Sequence, residues 1–226
     1  MTTDSVTRIW VVRHGQTDWN AQRRIQGHTP TELNSAGRMQ AAFLAEWLAQ
    51  TRRHHPFAAI YASDLPRASQ TASIIGKRLG LAVSTTSQLR ERDLGQFEGK
   101  TWEEVRSARA ANGNRLVENG DLADWTGVAG VESDEQLWQR VSAVLDNIAT
   151  KHAGADVLVV SHGGVMKHLI WHILGLPIGA PRRFPLTNGL ITIVEPRKDG
   201  WYLTGLFDAG VLSGKVAEDT ASTPSV

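Results

Sequence analysis

Short apolar strands alternate with helix-length amphipathic segments along this chain, and that alternation constrains the fold more than any other feature. Thr7–Val12 (TRIWVV) is β-branched and aromatic and reads as a buried strand, stopping where polarity changes at Arg13-His14-Gly15. The spacing of Met39, Ala42, Phe43, Glu46 and Trp47 predicts a helix over Ser35–Arg53, with Ser35 as N-cap. Phe57–Ala62 (FAAIYA) predicts a second strand. Ser63-Asp64 should cap a helix that runs to Leu79, carries Pro66 in its first turn and closes at Gly80. Leu81–Ser84 predicts a third strand. Glu132–Thr150 is an amphipathic helix with Leu137, Val141, Val144, Leu145 and Ile148 inward. Asp156–Val160 (DVLVV) is a strand, and Val165–Leu174 a helix ending at Gly175. Leu190–Glu195 and Trp201–Leu206 flank Pro196-Arg197-Lys198-Asp199-Gly200, a hairpin signal. The expected architecture is α/β: a three-layer sandwich with a mostly parallel central sheet and helices on both faces. It forms one domain over 1–212, without a repeat or linker. The glycine-rich stretch Gly95–Gly130, with a broken helix near Trp102–Ala111, reads as a lid over about 100–131 rather than core. The small, polar segment 213–226 reads as a tail.

Composition narrows the function classes. The 226 residues carry 24 Lys+Arg against 23 Asp+Glu, a formal charge of +1, so no global field argues for nucleic acid or a membrane surface. Cysteine is absent, which removes disulfides, thiolate catalysis and Cys-ligated zinc together. Met1–Arg8 is polar and lacks an apolar leader core, and no apolar run approaches the ~20 residues of a membrane helix. The expectation is a cytoplasmic protein. Its oligomeric state is left open, a homodimer included.

Ligands of such sheets bind beyond the carboxyl ends of the strands. Two strands end in His-Gly, at Arg13-His14-Gly15 and Ser161-His162-Gly163, and a third runs into Ser63-Asp64-Leu65-Pro66-Arg67. One strand-end histidine is usually a solvated loop residue. Parallel strands place all three groups on one rim, and a rim rich in His and Arg near helix N-termini suits a phosphate dianion. Competing motifs fail on spacing. Gly95–Thr101 has three residues between its glycines where a nucleotide-binding P-loop has four, and Leu169 stands where the His168/His172 pair of a zinc helix needs Glu. Val159 stands where a nucleophile elbow around Ser161 needs Gly.

Ordered blocks then resemble the histidine phosphatase superfamily, in its phosphoglycerate-mutase-like branch. They are Arg13-His14-Gly15-Gln16-Thr17-Asp18-Trp19-Asn20, Gln26-Gly27, Ser63 to Ala72, Leu89 to Gly95, Glu98-Gly99, Gly130 to Ser133 and Ser161-His162-Gly163-Gly164. The resemblance implies that His14 is a nucleophile that becomes phosphorylated, and that Arg13 and Arg67 clamp the phosphoryl oxygens. It implies that Asn20 adds a neutral donor, that His162 donates to a phosphoryl oxygen, and that Gln26 and Gly27 support substrate binding. Glu91 is implied as proton donor to the leaving alkoxide and base for water, although Asp93 lies two residues away in the same charged run. No cofactor and no metal are implied. The expected activity is hydrolysis of a small phosphomonoester. The alternatives are a phosphoglycerate mutase using the same site and a catalytically idle binder of phosphorylated ligands. Mutases of this family tend to carry a longer insertion and an adjacent Arg pair after the acid block, whereas Lys100–Val131 is short with separated arginines. Lys100, Arg106, Arg109 and Arg115 read as exposed helix charges, and Trp102 and Trp125 as packing within the lid.

Overall fold

Four strands run parallel because helical crossovers return the chain to the same end of the sheet. The computed structural model describes residues 6–52, 55–111, 128–177, 180 and 182–208, without the side chains of 108–111. The parallel strands are β1 (Arg8–Arg13), β2 (Ala59–Ser63), β3 (Val83–Thr86) and β4 (Asp156–Ser161). The helices are α1 (Asp18–Ala21), α2 (Ser35–Thr51), α3 (Pro66–Leu79), α4 (Trp102–Ala111), α5 (Asp134–Lys151) and α6 (Gly163–Ile173). An antiparallel hairpin, β5 (Ile191–Arg197) and β6 (Gly200–Phe207), completes a sheet of order β3-β2-β4-β1-β5-β6.

Side chains alternate between the two faces of a strand, so a strand covered on both sides is apolar at every position. Trp10, Val12, Ile60, Ala62, Leu158 and Val160 face α2 and α3, meeting Leu44, Leu48, Ala68 and Ile75. Ile9, Val11, Val157 and Val159 face α5 and α6, meeting Leu137, Val141, Leu145 and Leu169. The three expected layers are present. The register that matters for the site is Arg13 opposite Ser161, which brings the carboxyl ends of β1 and β4 side by side.

The inward face of α2 is not the one that Met39, Ala42, Phe43, Glu46 and Trp47 suggest. Gly37, Ala41, Leu44, Ala45 and Leu48 are buried, whereas Met39 is exposed. The cause lies at the N-terminal end of the helix, where a Cβ on Gly37 would fall 2.0 Å from the Gln16 carbonyl oxygen. That close approach turns the small-residue stripe inward and leaves Phe43 and Trp47 packing at the margin. The N-cap is Asn34 rather than Ser35. Nor do Ser63 and Asp64 cap α3: Ser63 ends β2, the N-cap position is Leu65 without a side-chain cap, and Asp64 pairs with Arg90 through both oxygens at 2.7 and 2.6 Å. Strand β3 begins two residues later than expected. The hairpin turn is tighter than Pro196–Gly200, since Pro196 pairs with Trp201 and Arg197 with Gly200.

Part of the stretch expected as lid joins a small core: Val105 is buried with Ile25, Leu94 and Phe97, and Trp102, Val128 and Val131 pack against them. Lys100 is exposed, its Nζ 5.5 Å over the Phe97 ring. Arg115, Trp125, the Arg109 side chain and the tail expected over 213–226 lie outside the described residues.

Candidate active site

The register of β1 on β4 sets two histidines against each other. His14 N donates to the Ser161 carbonyl at 3.0 Å, and the His14 and His162 rings lie 5.2 Å apart, edge to face. Both side chains are buried, His14 at 2% exposure and His162 at 0%. Their hydrogen bonds fix their tautomers. His14 Nδ1 is 2.7 Å from the Gly15 carbonyl oxygen, which can only accept, so Nδ1 carries the proton and Nε2 keeps its lone pair. His162 is the reverse. Its Nδ1 accepts from Arg67 Nε at 3.2 Å, so the proton sits on Nε2, which is buried without a partner. Desolvation first, then the positive charges of Arg67 and Arg13, hold His14 well below its ordinary value. Desolvation and Arg67 lower His162 in the same way.

Arg67 is fully buried at the start of α3. Its fork donates to the Gly27 carbonyl at 2.7 Å, to the Thr29 carbonyl at 2.9 Å and to Thr31 Oγ1 at 3.2 Å. Arg13 donates through one terminal nitrogen to the Leu186 carbonyl, and its Nε is buried without a partner. Burial lowers Arg13 and Arg67 to about 10 each, which leaves both charged at neutral pH. Charge from Arg182 also reaches Arg13. Glycine makes room: a Cβ on Gly163 would lie 3.2 Å from Arg13 Nε.

Glu91 reaches the same place from the loop after Leu89. Its Oε1 accepts from Arg92 N and its Oε2 from Gly164 N, each at 2.9 Å, and its charge acts on both Arg13 and Arg67. A Cβ on Gly164 would stand 2.2 Å from Glu91 Oε1, so the carboxylate sits where only glycine admits it. Asp93 turns elsewhere, accepting from Gly95 N at 2.9 Å with a half-exposed side chain. Of the two carboxylates in the run, Glu91 belongs to the site.

The remaining expected residues stand one step back. Asn20 Oδ1 accepts from Thr17 N at 3.1 Å in a capping box, and Asn188 Nδ2 reaches both it and the His14 carbonyl. Gln26 Oε1 accepts from Thr17 Oγ1 at 2.9 Å. Gly27 acts through its carbonyl on Arg67; at φ +49°, with a Cβ only 2.0 Å from Glu98 Oε1, the position requires glycine. Glu98 also fixes the turn above it, accepting from His28 N at 2.8 Å and Thr29 N at 2.9 Å. Arg140 on α5 holds the loop of Glu91, donating to the carbonyls of Gln88, Arg90 and Glu91 while paired with Glu132. Neither set of bonds is legible in the sequence, because Glu98 works through main-chain N–H groups and Arg140 through main-chain carbonyls, all distant along the chain. The lookalike motifs are accounted for as well. Ser161 Oγ donates to the Leu89 carbonyl at 2.8 Å, His172 stacks on Trp138 and His168 is bonded to Arg92. Among the described residues no group of three or more His, Asp or Glu is arranged to hold a metal ion, and no helix is long and apolar enough to cross a membrane.

Three buried neutral histidines, His14 and His162 in the pocket and His168 on α6, make stability depend on pH with a definite sign. Below the ordinary 6.5 the unfolded chain binds protons that the folded chain refuses, so stability is full above that value. It is lost as pH falls from there towards the depressed folded values, by at most about 1.4 kcal/mol per pH unit for each group. Urea unfolding at about pH 7.5 and about pH 5.5 is expected to show this decline, and His14→Ala should make it shallower by one group's share. A wild-type profile already flat across that window would contradict the desolvated pocket.

The site can thus present a free imidazole nitrogen, two guanidinium groups, an unsatisfied imidazole N–H and a carboxylate to one small ligand. Comparison with known proteins gives the family. The model of the histidine phosphatase superfamily (branch 1) matches residues 9–209. Phosphoglycerate mutase-like protein 4 of Arabidopsis thaliana is 43% identical over 162 residues, covering 71% of this chain and 68% of that protein. The metal-independent phosphoserine phosphatase of the same plant is 35% identical over 209 residues, covering 92% and 84%. Among solved structures, the mycobacterial glucosyl-3-phosphoglycerate phosphatase complexed with VO3 superposes with a TM-score of 0.71 at 30% identity, covering 88% of this chain and 97% of that one. The strand-end histidines, their arginine partners and these likenesses over most of the length place the chain in the histidine phosphatase superfamily, branch 1.

Proposed function

We propose that the chain hydrolyses a small phosphomonoester through a phosphohistidine formed at His14 Nε2. One observation carries this reading. Arg13 Nε and His162 Nε2 are buried donors without partners, next to a histidine whose tautomer leaves a nucleophilic lone pair. An unsatisfied buried donor costs about 1–3 kcal/mol, and phosphoryl oxygens supply the missing acceptors. In the first step the Nε2 lone pair attacks phosphorus, the bond from phosphorus to the ester oxygen breaks, and Glu91 gives its proton to the departing alkoxide. The Nδ1–H bond to the Gly15 carbonyl steadies the positive charge that develops on the ring. Charge on the transferring group is met by Arg13, Arg67 and the His162 N–H, without recourse to a metal. In the second step the Glu91 carboxylate takes a proton from water, whose oxygen attacks phosphorus. The P–N bond breaks, and inorganic phosphate leaves.

A mutase would use the same groups and return the phosphoryl group to a bound intermediate. The separated arginines of Lys100–Val131 support water as the acceptor. The names of related proteins, a phosphoserine phosphatase and a glucosyl-3-phosphoglycerate phosphatase among them, support a phosphomonoester of a small acid as the substrate class. A panel of phosphomonoesters assayed with a chelator and without bisphosphoglycerate should release inorganic phosphate from at least one member, and vanadate should inhibit it. Activity lost to the chelator and restored by a divalent ion would overturn the metal-free step. Phosphoryl transfer only when bisphosphoglycerate is added would make the protein a mutase.

A further inference from the structure

We propose that Arg92, through His168 and Asp134, is a positioning residue that holds the Glu91 carboxylate for proton transfer; this rests on the role given to Glu91 above. The two N–H groups that grip Glu91 come from different elements. Arg92 N lies in the loop after Leu89, and Gly164 N lies in the first turn of α6. The carboxylate keeps one orientation only while loop and helix keep one separation. The Arg92 side chain, 4% exposed, spans that gap. It donates to the Glu132 carbonyl at 3.1 Å and to Asp134 Oδ1 at the start of α5, and its Nη2 lies 2.6 Å from His168 Nε2 on α6, itself 3.0 Å from the same Asp134 oxygen. His168 stands four residues after Gly164, one turn along the same helix, so a bond to His168 fixes the height of the Gly164 N–H.

A guanidinium suits this task because its donors form a rigid fork that can reach three groups on separate elements, whereas a lysine is a flexible point charge. A buried ion pair is weak evidence for stability in itself, because desolvation offsets the attraction. Position is the better reason to bury an arginine here. Arg140 grips the carbonyls of the same loop from α5 and fixes the main chain there, but it does not reach α6 in its described bonds. None of the bonds that hold Arg67 involves the cluster, since its fork is held by Gly27, Thr29 and Thr31, so loosening the cluster should spare that arginine.

The test uses the full chain as wild type, Arg92→Lys, His168→Leu and Glu91→Gln, with an alkyl and an aryl phosphate and with vanadate inhibition alongside. Arg92→Lys and His168→Leu are expected to lose about tenfold or more in kcat on the alkyl ester, part of the ~10²–10⁴ that general acid–base help supplies. Phosphorylation of His14 by the aryl ester and inhibition by vanadate should stay within about twofold of wild type. A purely structural role would move all three together. If Glu91→Gln shows no preference for the aryl ester, the reading of Glu91 itself fails. If it shows one while Arg92→Lys and His168→Leu lose both esters equally or not at all, only the positioning role falls. Loss of vanadate inhibition in both variants also overturns the proposal, because the cluster would then serve the phosphoryl pocket or the fold.

Discussion

Glu91→Gln is expected to lower kcat on an alkyl phosphate by about 10²–10⁴ while leaving the formation of phospho-His14 from an aryl phosphate nearly intact. An alkoxide is a poor leaving group and needs the proton as the bond from phosphorus to oxygen breaks; an aryl oxide needs little. Hydrolysis of the phosphoenzyme still requires a base, so the intermediate should accumulate whichever ester forms it. The substitution is not a perfect match in shape and bonding. Both neighbours of the carboxylate, Arg92 N and Gly164 N, are donors, so the amide gives up one of two hydrogen bonds. That loss affects both esters alike, and the difference between them isolates the proton. Asp93→Asn supplies the control, since Asp93 caps the turn at Gly95 from a half-exposed position. Rapid-quench measurement of burst and steady state on both esters checks the prediction. A leaving-group effect in Asp93→Asn and none in Glu91→Gln would reassign the acid.

What the sequence makes legible follows from how local the cause is. His14 and His162 stand out because an apolar strand ends in one step at a polar His-Gly, and parallel strands bring such ends together. Arg67 and Glu91 are different. An arginine in a first helical turn and a glutamate in a charged run look like solvated residues, and only the family blocks single them out. Their burial and grip come from Gly27, Thr29 and Gly164, remote in the chain. The inward face of α2 misled for a related reason. Large side chains at helical spacing are the visible signal, but contact between Gly37 and the Gln16 carbonyl decides which stripe turns in. Glu98 shows the middle case: it sits inside a family block, yet its work on the 27–29 turn becomes plain only from its bonds to His28 and Thr29.

His14→Ala is expected to abolish turnover, a drop on the order of 10⁶ being what loss of an essential nucleophile removes. The pocket should survive the change, because Arg67 is held by Gly27, Thr29, Thr31 and His162 and makes none of its described bonds to His14. Phosphate or vanadate should still protect the variant against urea, which separates a missing nucleophile from a collapsed site. A variant that keeps near-normal activity would end the covalent scheme.

The covalent intermediate itself is the most direct measurement. Wild type and Glu91→Gln are mixed with an aryl phosphate, quenched in base to preserve a phosphorylated imidazole, digested and mapped by mass spectrometry, with the ring nitrogen identified by NMR. One phosphoryl group per chain is expected on His14, carried at Nε2 because Nδ1 is committed to the Gly15 carbonyl, and accumulating in Glu91→Gln. Release of phosphate with no phosphorylated histidine at any time, or a phosphoryl group on a residue other than His14, would contradict the covalent scheme.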